Sequence, residues 1–285
     1  YLINLTQDII GNALCSAISV YGKRSVTYST ITGRVIDILG GKENQLDGIQ
    51  AVITYKNQEY SIVSIGYLGY MGVITGLNDD GIFAALLSSN VDSADYGTIA
   101  IPENSYSFDL RHALEEKTNL DGVANHMLSD EKTYKIGHLV FISDANSSVV
   151  VENNVRNVNN ILRKVRTENS ELNNGIEWNI DNSIAAVNSF VLRGNYDNHN
   201  TKDFNYMRWN SYKDLLANSG DRVSIDEMKE FVSFYSGEKP SGMNDINSDM
   251  TQQIMVVEPK ELKIEIAFRE KDGPILLKPK FEKIE

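Results

Sequence analysis

The feature that most constrains this chain is the order in which its hydrophobic periodicity changes. Residues 15–90 carry short apolar, β-branched runs separated by turn residues, which predicts strands over 15–21, 26–39, 49–55, 60–65, 71–75 and 82–88. Turn chemistry sits between them, as in Gly40-Gly41-Lys42, Lys56-Asn57-Gln58 and Asn78-Asp79-Asp80-Gly81. The period then switches. Phe108, Leu110, Ala113 and Leu114 share one helical face within 106–117, and Val123, Ala124, Met127 and Leu128 share another just after it. Strands resume over 137–142 and 148–152, followed by a polar, asparagine-rich surface stretch over 153–179. A buried strand over 183–191 leads through a long loop, 193–202, to a helix over 204–218. Ser224 with Glu227 forms a capping box that opens a last helix reaching about residue 235. A hairpin over 252–268 closes the series. Strands, two helices, strands, two helices, strands fit one domain of packed sheets and helices.

The 285 residues include 39 acidic and 27 basic side chains, a net charge of −12, which argues against a nucleic-acid partner. No apolar run approaches the ~20 residues of a membrane-spanning helix. The single cysteine excludes an intrachain disulfide. The chain starts at Tyr1, so residues upstream are expected and both a cytoplasmic and a secreted location stay open. Self-association stays open too.

That cysteine, Cys15, begins the first strand beside the hydroxyl of Ser16, and the next strand delivers Arg34 and Asp37. A lone cysteine is ordinarily a small buried hydrophobe, and an arginine with an aspartate is ordinarily a salt bridge. A thiol, a cation that favours its thiolate and a carboxylate that holds an amine would also make an amide-cleaving site. The four histidines show no zinc-protease spacing, there is no Gly-x-Ser-x-Gly elbow, and no phosphate or dinucleotide loop is present. Asp197–Asp203 offers oxygen ligands but lacks the glycine and terminal glutamate of an EF-hand, so neither a metal nor a cofactor is expected. A thiol without a histidine can use its own α-amine as base, with a pKa near ~7.7–8, if the Leu14–Cys15 bond is cut.

Four segments carry a family resemblance: Cys15-Ser16-Ala17; Gly33-Arg34-Val35-Ile36-Asp37; the run from Gly69-Tyr70-Met71-Gly72 through Gly76-Leu77-Asn78-Asp79-Asp80-Gly81; and Ala186-Val187-Asn188-Ser189-Phe190. In this order they resemble the N-terminal-nucleophile (Ntn) linear-amide hydrolases. That superfamily includes choloylglycine hydrolases, penicillin V acylases, acid ceramidase, N-acylethanolamine amidase and the isopenicillin N acyltransferase and carcinine hydrolase group. The resemblance implies an α+β fold, a four-layer αββα sandwich of antiparallel sheets. It implies residues 1–14 as the end of a pro-segment and 15–285 as a single domain, with Cys15 freed by autoproteolysis. Arg34 then favours the thiolate, Asp37 orients the new amine, Asn78 and Asn188 face the oxyanion, and Arg208 lies near the nucleophile. The chain departs from the pattern at Ser16 (more often threonine), Ile38 (often aromatic) and Val187 (usually threonine).

The expected activity is cleavage of a small-molecule N-acyl amide through an acyl-enzyme, with water or an amine as acceptor. The residues ahead of Cys15 favour the acyltransferase, carcinine hydrolase and ceramidase branches over bile salt or penicillin V hydrolases. The other class of reading is a non-catalytic binding protein of the same fold with Leu14–Cys15 intact. Tyr67, Tyr70 and the loop 196–205 are candidates to shape an acyl pocket.

Overall fold

The computed structural model describes residues 14–89, 104–134, 136–155, 162–195, 199, 201, 203–240, 244–271, 273 and 276–284. The first half holds β1 (Ser16–Val20), β2 (Ile31–Asp37), β3 (Gln50–Lys56), β4 (Ser61–Tyr67), β5 (Thr75–Asn78) and β6 (Phe83–Ser88). Helices α1 (Tyr106–Glu116) and α2 (Leu120–Leu128) follow, then β7 (His138–Ser143), β8 (Ser148–Asn153), β9 (Arg163–Arg166) and β10 (Ser183–Ala186). Helices α3 (Phe204–Asn218) and α4 (Ile225–Val232) precede β11 (Thr251–Glu258), β12 (Lys263–Phe268) and β13 (Glu282–Ile284).

The strands form two antiparallel sheets, ordered β10-β1-β2-β11-β12-β13 and β3-β4-β5-β6-β7-β8-β9. One apolar layer lies between the sheets and continues beneath α1 and α2; it contains Cys15, Ala17, Ile36, Ile65, Phe83, Phe141, Met255 and Val257. The second lies between the first sheet and α3 and α4, built from Ile18, Val35, Ile254, Trp209, Tyr212, Met228 and Val232. Strand alternation explains the division, since neighbours along β1 and β2 fall on opposite faces. The layers run helix, sheet, sheet, helix. This is the expected αββα sandwich.

Two local features fix the packing. A Cβ on Gly33 would lie 2.4 Å from Val232 Cγ1, so the glycine lets α4 lie directly on β2. Between the sheets, buried hydroxyls link β1, β2, β7 and β8: Ser19 to Thr32 at 3.1 Å, Thr32 to Ser143 at 3.0 Å and Ser148 to Ser19 at 2.7 Å. Each polar group there has a partner, as burial demands.

Several boundaries differ from expectation. The strand expected from 26 begins only at Ile31, because a 3-10 turn over Gly22–Arg24 and the left-handed Tyr28 (φ 59°) take the chain around a corner. The strand expected over 71–75 does not form; Gly69 (φ 81°) bends the chain and pairing restarts at Thr75. The short β9 and β13 lack the apolar alternation that would have announced them. The capping box of α4 is present, Ser224 accepting from the Glu227 amide and Glu227 from the Ser224 amide. No helix among the described residues is long and apolar enough to cross a membrane. The 1–13 part of the expected pro-segment, Tyr196 and most of the Asp197–Asp203 stretch lie outside the described residues.

Candidate active site

Cys15 immediately precedes β1 and is 1% exposed, in the layer between the sheets. Backbone pairing sets its neighbours. The Leu14 amide donates to the Asp37 carbonyl (2.9 Å), and Ala17 pairs with Arg34 on β2. Arg34 is fully buried on the same inter-sheet face, donating to the Ser16 carbonyl (3.3 Å) and to the Leu86 carbonyl on β6 of the other sheet. It is therefore a fixed cation two residues along the ladder from Cys15.

Asp37, at the end of β2, faces the opposite way, toward α3. Thr251 on β11 donates its hydroxyl to Asp37 Oδ1 at 2.5 Å, while Oδ2 is buried, without a hydrogen bond among the described residues and 3.8 Å from Arg208 Nη1. Burial pushes the Asp37 carboxyl up from 3.8 to about 6; Arg208, hydrogen bonds from Thr251 and Ser248, and Arg34 oppose the shift.

Arg208 projects from α3 and is 1% exposed. Its Nη1 donates to the Leu14 carbonyl and, at 3.2 Å, to the Cys15 carbonyl. Its Nη2 donates to Asn188 Oδ1 (2.8 Å) and Asn205 Oδ1 (2.9 Å). Asn188 follows β10 and donates to the Ser88 carbonyl at the end of β6 (2.8 Å). The guanidinium thus bridges the carbonyls on both sides of the Cys15 amide to two buried asparagines. A cation and fixed amide dipoles in a site closed to water are well suited to stabilise an oxyanion.

The structure therefore gathers Cys15, Arg34, Asp37, Asn188 and Arg208 at one end of the sandwich. It does not bring Asn78 there. Both hydrogens of the Asn78 amide are spent on the Leu114 and Lys117 carbonyls at the end of α1 (3.1 Å each), and its oxygen accepts from the Ile82 amide (2.8 Å). In the Asn-Asp-Asp-Gly turn the Asn78 side chain holds a turn and a helix end. The glycine-bounded turn looks the same in sequence for either task.

Three contributors were not read from sequence. Thr251 anchors Asp37, Tyr212 on α3 shares a hydrogen bond with Ser16 (2.8 Å), and Asn205 holds Arg208. A signal existed for two of them, since Asn205, Arg208 and Tyr212 are spaced i, i+3, i+7 and line one face of α3. Nothing local marks Thr251; its role depends on pairing with Asp37 across 214 residues.

No family model matches the sequence, and no curated protein does. Solved structures do. The chain is similar to a Caenorhabditis elegans N-acylethanolamine-hydrolyzing acid amidase ortholog, with TM-score 0.58 and 16% identity over 86% of this chain and 93% of that one. It is similar to a variant of the conjugated bile acid hydrolase from Clostridium perfringens, with TM-score 0.52 and 15% identity over 95% and 97%. It is also similar to the penicillin V acylase from Agrobacterium tumefaciens, with TM-score 0.50 and 11% identity over 95% and 86%. At these identities the shared property is architecture. The chain has the αββα fold of the N-terminal-nucleophile hydrolases.

Proposed function

We propose that this chain is a self-processing amidohydrolase that cleaves a small-molecule linear amide through a thioester on Cys15. One observation carries the reading: Arg208 donates to the carbonyl oxygens of both Leu14 and Cys15, beside a buried Asp37 oxygen that lacks a hydrogen bond. In the first step the Cys15 sulfur attacks the Leu14 carbonyl carbon. The C–N bond breaks as the C–S bond forms, the thiol proton passes to the departing nitrogen, and water then hydrolyses the thioester. The products are the 1–14 segment with a free carboxylate and a 15–285 domain that begins with Cys15. The new α-amine lies near Asp37 Oδ2, which supplies the acceptor it needs.

The same groups then act on an external amide. The α-amine takes the thiol proton and the sulfur adds to the amide carbonyl. Arg208, held by Asn188 and Asn205, and the backbone N–H groups stabilise the tetrahedral oxyanion. The amine leaves with the proton, and water or a second amine takes the acyl group. Arg34, buried two residues along the ladder from Cys15, favours the thiolate.

Intact-mass spectrometry tests the first step. The purified 31.9 kDa chain should lose residues 1–14 and expose Cys15, and Cys15→Ala should stay uncut and inactive toward N-acyl amides. A chain that keeps Leu14–Cys15 through prolonged incubation is instead the non-catalytic binding protein. Adding an amine during turnover separates transfer from hydrolysis by whether a new amide forms.

A further inference from the structure

One buried polar atom near Cys15 has no task in the mechanism above. Tyr67 ends β4 in the second sheet and is 2% exposed, within the layer that contains Cys15. Its hydroxyl has no hydrogen-bond partner among the described residues. Sealing a hydroxyl from water without a partner is costly and calls for an explanation.

Strand pairing shows where this hydroxyl lies. The Leu14 amide's bond to the Asp37 carbonyl puts Cys15 alongside Ile36, and Ile36 pairs with Gln253 on β11. Gln253 then reaches across the sandwich, its Nε2 donating to the carbonyl of Gly66, the residue before Tyr67, at 3.3 Å. Tyr67 therefore stands opposite the row Cys15–Ile36–Gln253, on the side of the thiol away from Arg208. Burial keeps the phenol protonated, its pKa pushed well above the ordinary tyrosine value, and the charges of Cys15 and Asp47 push the same way. A phenol in that state is a hydrogen-bond donor at every working pH. The donor is also needed, because the Asn78 amide is committed to α1.

We propose that Tyr67 is a further catalytic residue, its hydroxyl donating to the carbonyl oxygen of the external amide under attack at Cys15. This rests on the amidohydrolase reading. Arg208 serves the Leu14 carbonyl during processing and, with the backbone N–H groups, the oxyanion during turnover, and Tyr67 adds a donor to the incoming carbonyl from the facing sheet.

Tyr67→Phe removes a hydroxyl that bonds to none of the described residues, so packing is kept and the oxygen alone is tested. Processed wild type and variant are treated with a p-nitrophenyl acyl ester, which acylates Cys15 through an oxyanion. They are separately treated with iodoacetamide, which alkylates the same sulfur without one. The variant should acylate about 10²-fold more slowly, with alkylation rate and unfolding midpoint held. Equal acylation overturns the proposal, and so does a proportional fall in both reactions, which would place the effect on the sulfur. A wild-type Cys15 that takes iodoacetamide but never the ester fails the amidohydrolase reading itself, and the Tyr67 role falls with it.

Discussion

Asp37 is the residue at which burial and charge are most finely opposed. Its carboxyl is driven up to about 6 by burial, with Arg208 the largest opposing influence. Below that pH it carries a proton and no longer offers a carboxylate acceptor to the amine that forms at Cys15, so the rate of processing should rise through about pH 6. Asp37→Asn should process slowly at every pH, and a variant that keeps the wild-type profile would remove Asp37 from the reaction. The stability consequence has the opposite sign. The folded state holds this proton more tightly than the unfolded chain, so Asp37 favours folding fully below 3.8 and loses that contribution as pH rises through about 6. Melting curves on either side of pH 6 should therefore show Asp37→Asn gaining on the wild type as the pH rises.

The junction of β5 with α1 shows how a chemistry-like motif is used for architecture. Asn78 closes the turn into β6 through the Ile82 amide and caps carbonyls at the end of α1, so a single side chain sets the distance between a strand and the helix that covers it. Asn78→Ala leaves two helix-end carbonyls and one turn amide without their partner. Chemical denaturation should show a loss of about 1–3 kcal/mol, while the folded fraction acylates Cys15 at the wild-type rate. Slow acylation by fully folded variant would return Asn78 to the oxyanion. The contact of α4 with β2 follows a similar logic of shape, since Gly33 leaves no room there for any side chain.

Across the whole molecule, the two sheets and α3 are clamped by one buried ion pair far from Cys15 in sequence. Glu152 on β8 accepts from Arg166 Nε on β9 (3.1 Å), from the Val191 and Leu192 amides (3.1 and 3.3 Å) and from the Asn195 amide group (2.8 Å). Arg166 donates in turn to the Ala185 carbonyl on β10 (2.8 Å) and lies over the Trp209 ring, next to Arg208 on α3. The pair thus fixes the strand before Asn188, the segment after it, and the helix that carries Arg208. Glu152→Ala leaves Arg166 buried without its counter-ion, and equilibrium unfolding should show a loss of about 3–5 kcal/mol. A near-neutral result would mean that the site is positioned without this clamp.

Much of this was legible from residues alone. Period-2 and period-3.6 runs placed most of the strands and all four helices among the described residues, because one-sided burial imposes those periods on any chain. The cysteine with Arg34 and Asp37 was legible because adjacent strands bring nearby sequence together, and Arg34 and Asp37 lie on neighbouring β2. What sequence could not decide was which asparagine joins Arg208. Asn78 and Asn188 look alike as residues, and only the packing of α1 on β5, and of α3 beside β10, separates them. Thr251 was illegible for the same reason, being defined by pairing with a distant strand, and Tyr67 was legible only as a pocket candidate, because its place in the layer with Cys15 comes from the packing of one sheet on the other. Local pattern determined the elements and singled out Cys15; the meeting of distant elements decided what surrounds it.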